Sequence, residues 1–135
     1  MRLYLDVCSL NRPYDNQDID RNRLEAEAIM IIVGRVSQGR RSLVSSEIID
    51  REVAACPDLE KAELVRATLQ LAERHVILKS ADVKRLPELT RLGFRKLDAM
   101  HIACAEAARC EYFVTTDDKL IKRAIAHRKT LSNQS

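Results

Sequence analysis

Short apolar runs alternate with longer helical segments along nearly the whole chain, and this order constrains the fold more than any other feature. No Asn-Gly or similar hairpin dipeptide joins two neighbouring apolar runs. Strands that alternate with helices form parallel sheets, because the chain must cross over between parallel strands. The sequence therefore predicts an α/β fold, a three-layer α/β/α arrangement with a central, mostly parallel sheet.

The individual elements follow from apolar spacing and from the positions of Gly and Pro. Strands are expected at 2–6, 42–45, 76–78 and 112–115, and a further strand is considered near 130–131. Helices are expected at 21–37, 47–56, 59–74, 81–92, 97–109 and 118–127, with a loop at 7–20. In the first helix Leu24, Ala28, Ile31 and Ile32 recur at helical spacing.

The length and composition are those of one soluble domain. The chain has 135 residues, of which 46% are apolar and 32% charged. We expect a single domain over residues 1–131 and a flexible tail over 132–135. The net charge of +3 is too small to indicate nucleic-acid binding by itself.

Cysteine usage and the N-terminal residues predict a cytoplasmic protein. The four cysteines form no C-x-x-C pair and no zinc spacing: Cys8, Cys56, Cys104 and Cys110. We expect them to be reduced, small core residues. The first residues do not resemble a secretory signal peptide, and no apolar stretch is long enough to cross a membrane.

Two acids lie at the ends of predicted strands. Asp6 ends the first strand, and Asp117 follows the strand at 112–115. Open parallel sheets bind ligands at the carboxyl ends of their strands, so both acids are expected at the same edge. For Asp117 alone, a helix N-cap is the stronger interpretation, and the two roles can coexist.

Glu52 is predicted to lie on the buried face of its helix. On a helical wheel of about 100° per residue, Glu52 lies between Ile48 and Ile49. Glu47, Asp50 and Arg51 fall on the opposite face. An unpaired buried carboxylate costs several kcal/mol, so Glu52 needs a cation, either a basic side chain or a metal ion.

Asp98 lies in the first turn of a helix that is rich in Ala and Ile. The helix dipole favours an acid there, and that explanation predicts an exposed side chain. Its neighbours on the wheel are Ile102 and Ala105, which argue for burial. Together, Asp6, Glu52, Asp98 and Asp117 are typical of an all-oxygen site for Mg²⁺ or Mn²⁺, which serves phosphoryl transfer.

The motifs around these acids resemble the PIN domain, a compact metal-dependent nuclease fold. The chain is most similar to the single-domain ribonucleases that act as toxins in type II toxin–antitoxin pairs. The resemblance spans nearly the whole chain and rests on four motifs: LYLD, SSEIIDREV, LDAMHIACA and FVTTDD. Residue by residue, it assigns Asp6, Glu52, Asp98 and Asp117 to the family's acidic quartet, with Asp118 as a candidate outer carboxylate.

The resemblance implies a hydrolase that binds one or two Mg²⁺ or Mn²⁺ ions and cuts RNA, leaving a 5′-phosphate and a 3′-hydroxyl. It also implies a homodimer and a cognate antitoxin that inserts a peptide into the acidic cleft. One departure lies two positions after the first acid, where Cys8 replaces the usual Asn or Ser and Ser9 is the nearest hydroxyl. The short polar tail after His127 also departs from the family's usual last strand.

Three alternatives remain open at the level of sequence. A catalytically degenerate PIN-like module would use the basic residues to bind RNA without cutting it. A phosphatase or receiver domain with Asp6 as phosphoryl acceptor lacks the further acids that these classes need, and Cys8 occupies one of their positions. A metalloenzyme built on His101 has no supporting motif, so we interpret His101 as structural or as supporting the ligands.

Overall fold

The computed structural model describes residues 1–118 of the chain. The strands are β1 (Arg2–Leu5), β2 (Ser42–Ser46), β3 (Arg74–Val76) and β4 (Tyr112–Val114). The helices are α1 (Val7–Asn11), α2 (Asp20–Ser37), α3 (Glu47–Ala54), α4 (Leu59–Leu69), α5 (Ser80–Val83), α6 (Leu86–Arg91) and α7 (Lys96–Ala107). The predicted helix at 118–127, the strand near 130–131 and the tail at 132–135 lie at or beyond the limit of the described residues.

The described strands form one parallel sheet in the order β3-β2-β1-β4, flanked by helices. Leu3 pairs with Leu43 of β2, and Leu5 pairs with Val114 of β4. The α/β fold predicted from the alternating pattern is therefore confirmed. Because all strands run the same way, their carboxyl ends meet at one edge, where Asp6 and Asp117 follow their strands.

The core is built on the two inner strands. Tyr4, Leu5, Leu43 and Val44 are almost completely buried, as expected for strands that are covered on both faces. A second, smaller cluster consists of Leu89, Phe94, Ala99 and Ile102. It packs α6 against the beginning of α7 and so fixes the helical turn that carries Asp98.

The sequence predicted a loop over 7–20, but residues 7–14 are helical and only 15–19 are irregular. The strand ends at Leu5, and Asp6 becomes the N-cap of α1 because its carboxylate accepts the backbone N–H of Ser9. A 3₁₀ turn, Arg12–Tyr14, follows α1 directly. The first acid therefore ends a strand and begins a helix.

Three other elements differ from the prediction. α4 ends at Leu69 instead of residue 74, and β3 begins two residues earlier than expected, with Val44 paired to Arg74. The helix predicted at 81–92 is two short helices, and Pro87 lies in the first turn of the second. Proline has no backbone N–H to donate, so it suits a helix start and disrupts a helix interior.

α2 packs on the core mainly through residues other than those predicted. Leu24, Ala28 and Ile31 are exposed, and of the four predicted residues Ile32 alone packs against the core, half-buried. The buried residues of this helix are Ala26, Ile29 and Val36. The helix has apolar residues on two faces, and spacing alone does not say which one packs.

The cysteine prediction was also only partly correct. Cys104 and Cys110 are buried, but Cys8 is exposed and Cys56 is half-buried. Cys8 lies on the outward face of α1, whose residues Val7, Ser9 and Leu10 are buried. Among the described helices, none combines the length and apolar character needed to cross a membrane.

Candidate active site

Asp6 is held by the backbone and by the chain that leaves β4. Its carboxylate accepts the Ser9 N–H at 2.9 Å and the hydroxyl of Thr115. The side chain is buried, and burial raises its pKa above the ordinary value, while the Thr115 and Ser9 hydrogen bonds oppose that shift. A nearby positive charge would therefore stabilise the ionised form.

Glu52 faces α7, and its partner is a histidine. Its Oε1 lies 2.5 Å from Nε2 of His101, and its side chain is 27% exposed. The inward direction predicted from the wheel is thus correct, but the predicted contrast in exposure between Glu52 and Glu47 is wrong. Glu47 is 29% exposed and accepts the Leu78 N–H at 3.1 Å, because the chain leaving β3 passes over the first turn of α3.

Asp98 and Asp117 share one cation, the guanidinium of Arg95. Its Nη2 lies 2.6 Å from Asp117 Oδ2, and its Nε lies 3.3 Å from Asp98 Oδ2. The Asp98 side chain is 18% exposed, which agrees with burial better than with a freely exposed helix-dipole residue. Burial raises the pKa of Asp98; Arg95 opposes this shift and the Asp117 charge adds to it.

Asp117 follows a turn stabilised by Thr115. The Asp117 N–H donates to Thr115 Oγ1 at 3.0 Å, while the Thr115 hydroxyl donates to Asp6. Thr115 therefore fixes two of the acids relative to each other. The helix that Asp117 was predicted to cap falls largely outside the described residues, so the capping role stays a prediction.

Each of the four acids interacts electrostatically with Cys8 or with another acid of the set. Although Cys8 is an exposed residue, partial desolvation of its thiol, followed by the charges of Asp6, Asp117 and Glu52, raises its pKa to about 11. The fourth acid, Asp98, interacts with the Asp117 charge. That all four acids meet at one metal site stays a prediction.

The donor set is chemically suited to a hard divalent cation, since all four side chains offer carboxylate oxygens. Burial of Asp6 and Asp98 carries a penalty that a cation would relieve, and Arg95 already supplies positive charge between two of the acids. Within residues 1–118, however, no three His, Cys, Asp or Glu side chains are close enough together to hold a metal ion. The side chains as placed bind protein partners and do not form a coordination shell.

Sequence reasoning missed the partners of the acids. Thr115 lies two residues before Asp117, and Arg95 lies three residues before Asp98. Their closeness in sequence to these acids was the signal that could have identified them as partners. Ser9 and Asp118, which the family resemblance suggested as further contributors, contact other groups. The Ser9 hydroxyl donates to the Val114 carbonyl at 3.2 Å, and Asp118 pairs with Arg21 at 2.8 Å on the surface.

The fold and this arrangement can be compared with known proteins. The model of the PIN domain matches residues 8–126, which includes Glu52, Asp98 and Asp117 and begins two residues after Asp6. Searches of the curated proteins and of the solved structures gave no match. PIN domains have a nuclease-type fold and are generally hydrolases of nucleic acid. Because the match covers most of its length, the chain belongs to the PIN domain family.

Proposed function

We propose that this protein is a Mg²⁺- or Mn²⁺-dependent endoribonuclease that hydrolyses RNA phosphodiester bonds. The observation that carries the proposal is the pair of links among the acids: Thr115 bonds to both Asp6 and Asp117, and Arg95 pairs with both Asp98 and Asp117. Asp6, Glu52, Asp98 and Asp117 would hold the metal. When bound, such an ion supplies a Lewis acid for the phosphate and lowers the pKa of the attacking water.

The chain's own residues prepare this site. Thr115 and the Ser9 N–H orient Asp6, and His101 orients Glu52. Arg95 holds Asp98 and Asp117 and would have to move from between them when a metal ion binds. Its exposed position would then allow the guanidinium to contact a phosphate of the substrate.

An open groove runs past Asp117 and carries three arginines that suit a nucleic-acid backbone. Its lining consists of Arg12, Arg21, Asn22, Arg95, Thr116, Asp117 and Asp118. Arginine side chains bind phosphates by charge and by paired hydrogen bonds, and such contacts carry affinity without sequence information. We therefore place the RNA backbone in this groove, with the scissile phosphate next to Asp117.

A cleavage assay with end-group analysis tests the proposal. Purified protein should cut RNA with Mg²⁺ or Mn²⁺, and both EDTA and Asp98→Asn should abolish cutting while RNA binding persists. Asp50→Asn is the matched control, since Asp50 is an exposed acid on α3 that pairs with His75. Products should carry a 5′-phosphate and a 3′-hydroxyl. A 2′,3′-cyclic phosphate would contradict the mechanism, because it forms by attack of the RNA's own 2′-hydroxyl.

A second candidate is an RNA-binding module without catalysis. It is favoured by the position of Arg95, which neutralises two of the acids without any metal ion. The same assay separates the two functions. Salt-sensitive RNA binding with no cleavage under any divalent metal would support the binding module and overturn the nuclease proposal.

We further propose that the protein is the cytoplasmic toxin of a toxin–antitoxin pair and acts as a homodimer. The exposed apolar side chains of α2 support an association surface: Leu24, Met30 and Ile31 are each more than half exposed. Light scattering after size exclusion should give twice the 15.4 kDa chain mass. A small upstream reading frame whose product binds this chain and stops cleavage would identify the antitoxin.

A further inference from the structure

His101 is a buried histidine with a partner at each ring nitrogen. Only 2% of the residue is exposed. Its Nε2 lies 2.5 Å from Glu52 Oε1, and its Nδ1 lies 2.6 Å from the hydroxyl oxygen of Tyr4. Packing alone does not account for this residue, because an apolar side chain could fill the same space without needing two polar partners.

The chemistry of the partners sets the direction of these hydrogen bonds. An ionised carboxylate only accepts, so Nε2 of His101 carries the hydrogen that faces Glu52. A neutral imidazole with its hydrogen on Nε2 has an acceptor at Nδ1, and the Tyr4 hydroxyl then donates to it. Burial raises the pKa of Tyr4 far above its ordinary value, which keeps that hydroxyl protonated.

The chain of hydrogen bonds continues to the beginning of the helix that carries Glu52. The Tyr4 hydroxyl oxygen lies 2.8 Å from Ser46 Oγ, and Ser46 Oγ accepts the Ile49 N–H at 3.1 Å as the N-cap of α3. Ser46 is left with a hydroxyl hydrogen to donate to Tyr4. This series of hydrogen bonds therefore starts and ends on α3 and passes through Ser46 at the end of β2, Tyr4 of β1 and His101 of α7.

We propose that His101 is a positioning residue, which fixes Glu52 Oε1 through Nε2–H and leaves Oε2 free to face a cation. Tyr4 and Ser46 select the tautomer by keeping Nδ1 an acceptor. The proposal deepens the proposed function and rests on it only where it assigns Glu52 to a metal ion. The hydrogen-bond chain itself can be tested without metal, RNA or catalysis.

The first test is ¹⁵N NMR of the full chain labelled in its histidine rings, recorded without metal. His101, identified by the loss of its signals in His101→Gln, should show a protonated Nε2 and an unprotonated, hydrogen-bonded Nδ1. Tyr4→Phe keeps the aromatic ring and removes the donor, so the Nδ1 resonance should move towards the value of a free acceptor nitrogen. A hydrogen on Nδ1, whether or not Nε2 also carries one, would overturn the proposed direction, because Tyr4 would then accept from His101.

The second test measures Mn²⁺ affinity by calorimetry in a matched pair of variants. The amide nitrogen of Gln at position 101 can reach the place of Nε2, whereas that of Asn reaches only the place of Nδ1. His101→Asn should weaken Mn²⁺ binding on the order of tenfold, and His101→Gln should restore most of it. His75→Gln is the control, because His75 makes a similar bond to Asp50, at 2.6 Å, on the surface. Equal affinities for the Asn and Gln variants would overturn the role of Nε2.

A comparison of cleavage separates this inference from the proposed function. In His101→Asn, saturating Mn²⁺ should recover most of the cleavage rate, whereas Glu52→Gln should stay impaired at every concentration. If the parent binds Mn²⁺ but cuts no RNA, the nuclease proposal fails and the affinity comparison still decides the role of His101. If the parent binds no Mn²⁺, the metal-directed role of His101 is overturned, and the NMR result decides the hydrogen-bond chain alone.

Discussion

Thr115 donates its hydroxyl to the carboxylate of Asp6, a residue 109 positions earlier in the chain. The bond crosses from the end of β4 to the end of β1, and Thr115 also accepts the N–H of Asp117. A single hydroxyl therefore links the first and last acids of the site.

Thr115→Val should lower the free energy of unfolding by about 1–3 kcal/mol, because it leaves a buried carboxylate with one donor fewer. Urea unfolding of the metal-free protein measures the change. Thr115→Ser keeps the hydroxyl and should recover most of the loss. Equal destabilisation by Val and Ser would mean that the methyl group, and not the hydrogen bond, stabilises this turn.

Arg95→Gln should strengthen Mn²⁺ binding severalfold. The guanidinium neutralises Asp98 and Asp117, so a metal ion has to compete with it for those oxygens. Calorimetry at low salt checks this prediction, with Arg91→Gln as the control because Arg91 is exposed on the preceding helix. Weaker metal binding in Arg95→Gln would show that the arginine organises the acids for the metal instead of competing with it.

Glu52→Gln should reduce RNA cleavage by at least about tenfold, whereas Glu47→Gln should leave it nearly unchanged. The two glutamates lie on the same helix and are almost equally exposed, at 27% and 29%. They differ in direction, since Glu52 faces His101 and Glu47 faces the Leu78 N–H. Similar cleavage rates for the two variants would contradict a metal-binding role for Glu52.

The stability contributed by Glu106 should increase as the pH falls. Burial raises the pKa of Glu106 above its ordinary value, although its ion pair with Arg85 opposes the shift. The folded protein therefore holds this proton more tightly than the unfolded chain, and the contribution is complete below about pH 4.5. It is lost as the pH rises through the folded pKa.

Comparison with Glu106→Gln isolates this effect, because that variant cannot titrate at position 106. The free energy of unfolding of the parent should rise relative to that of the variant between neutral pH and about pH 4.5. Unfolding in urea at a series of pH values gives both curves. A difference that does not change with pH would contradict the raised pKa.

The fold was largely predictable because its signals are local. Alternating strand and helix patterns indicated the parallel sheet, and acids at strand ends are directed to one edge by that topology. Asp98 was found because an acid among Ala and Ile residues is an anomaly at the level of the sequence itself.

The sequence predictions failed where contacts between distant parts of the chain determine the local structure. The carboxylate of Asp6 is both a candidate ligand and a helix cap, so its second role produced a helix where Pro13 and several polar residues indicated a loop. α2 has two apolar faces, and only packing selects between them. The bond between His101 and Glu52 joins residues 49 apart, and nothing in the spacing of either motif specifies it.

The strand order β3-β2-β1-β4 has a consequence for synthesis on the ribosome. The ribosome synthesises β1, β2 and β3 before β4, so β1 and β2 can pair before residues 112–117 have been made. Until then the chain has neither Thr115 to hold Asp6 nor Asp117 to complete the quartet. On the proposed function, a nascent chain stays inactive towards the RNA around it, including the message from which it is being translated.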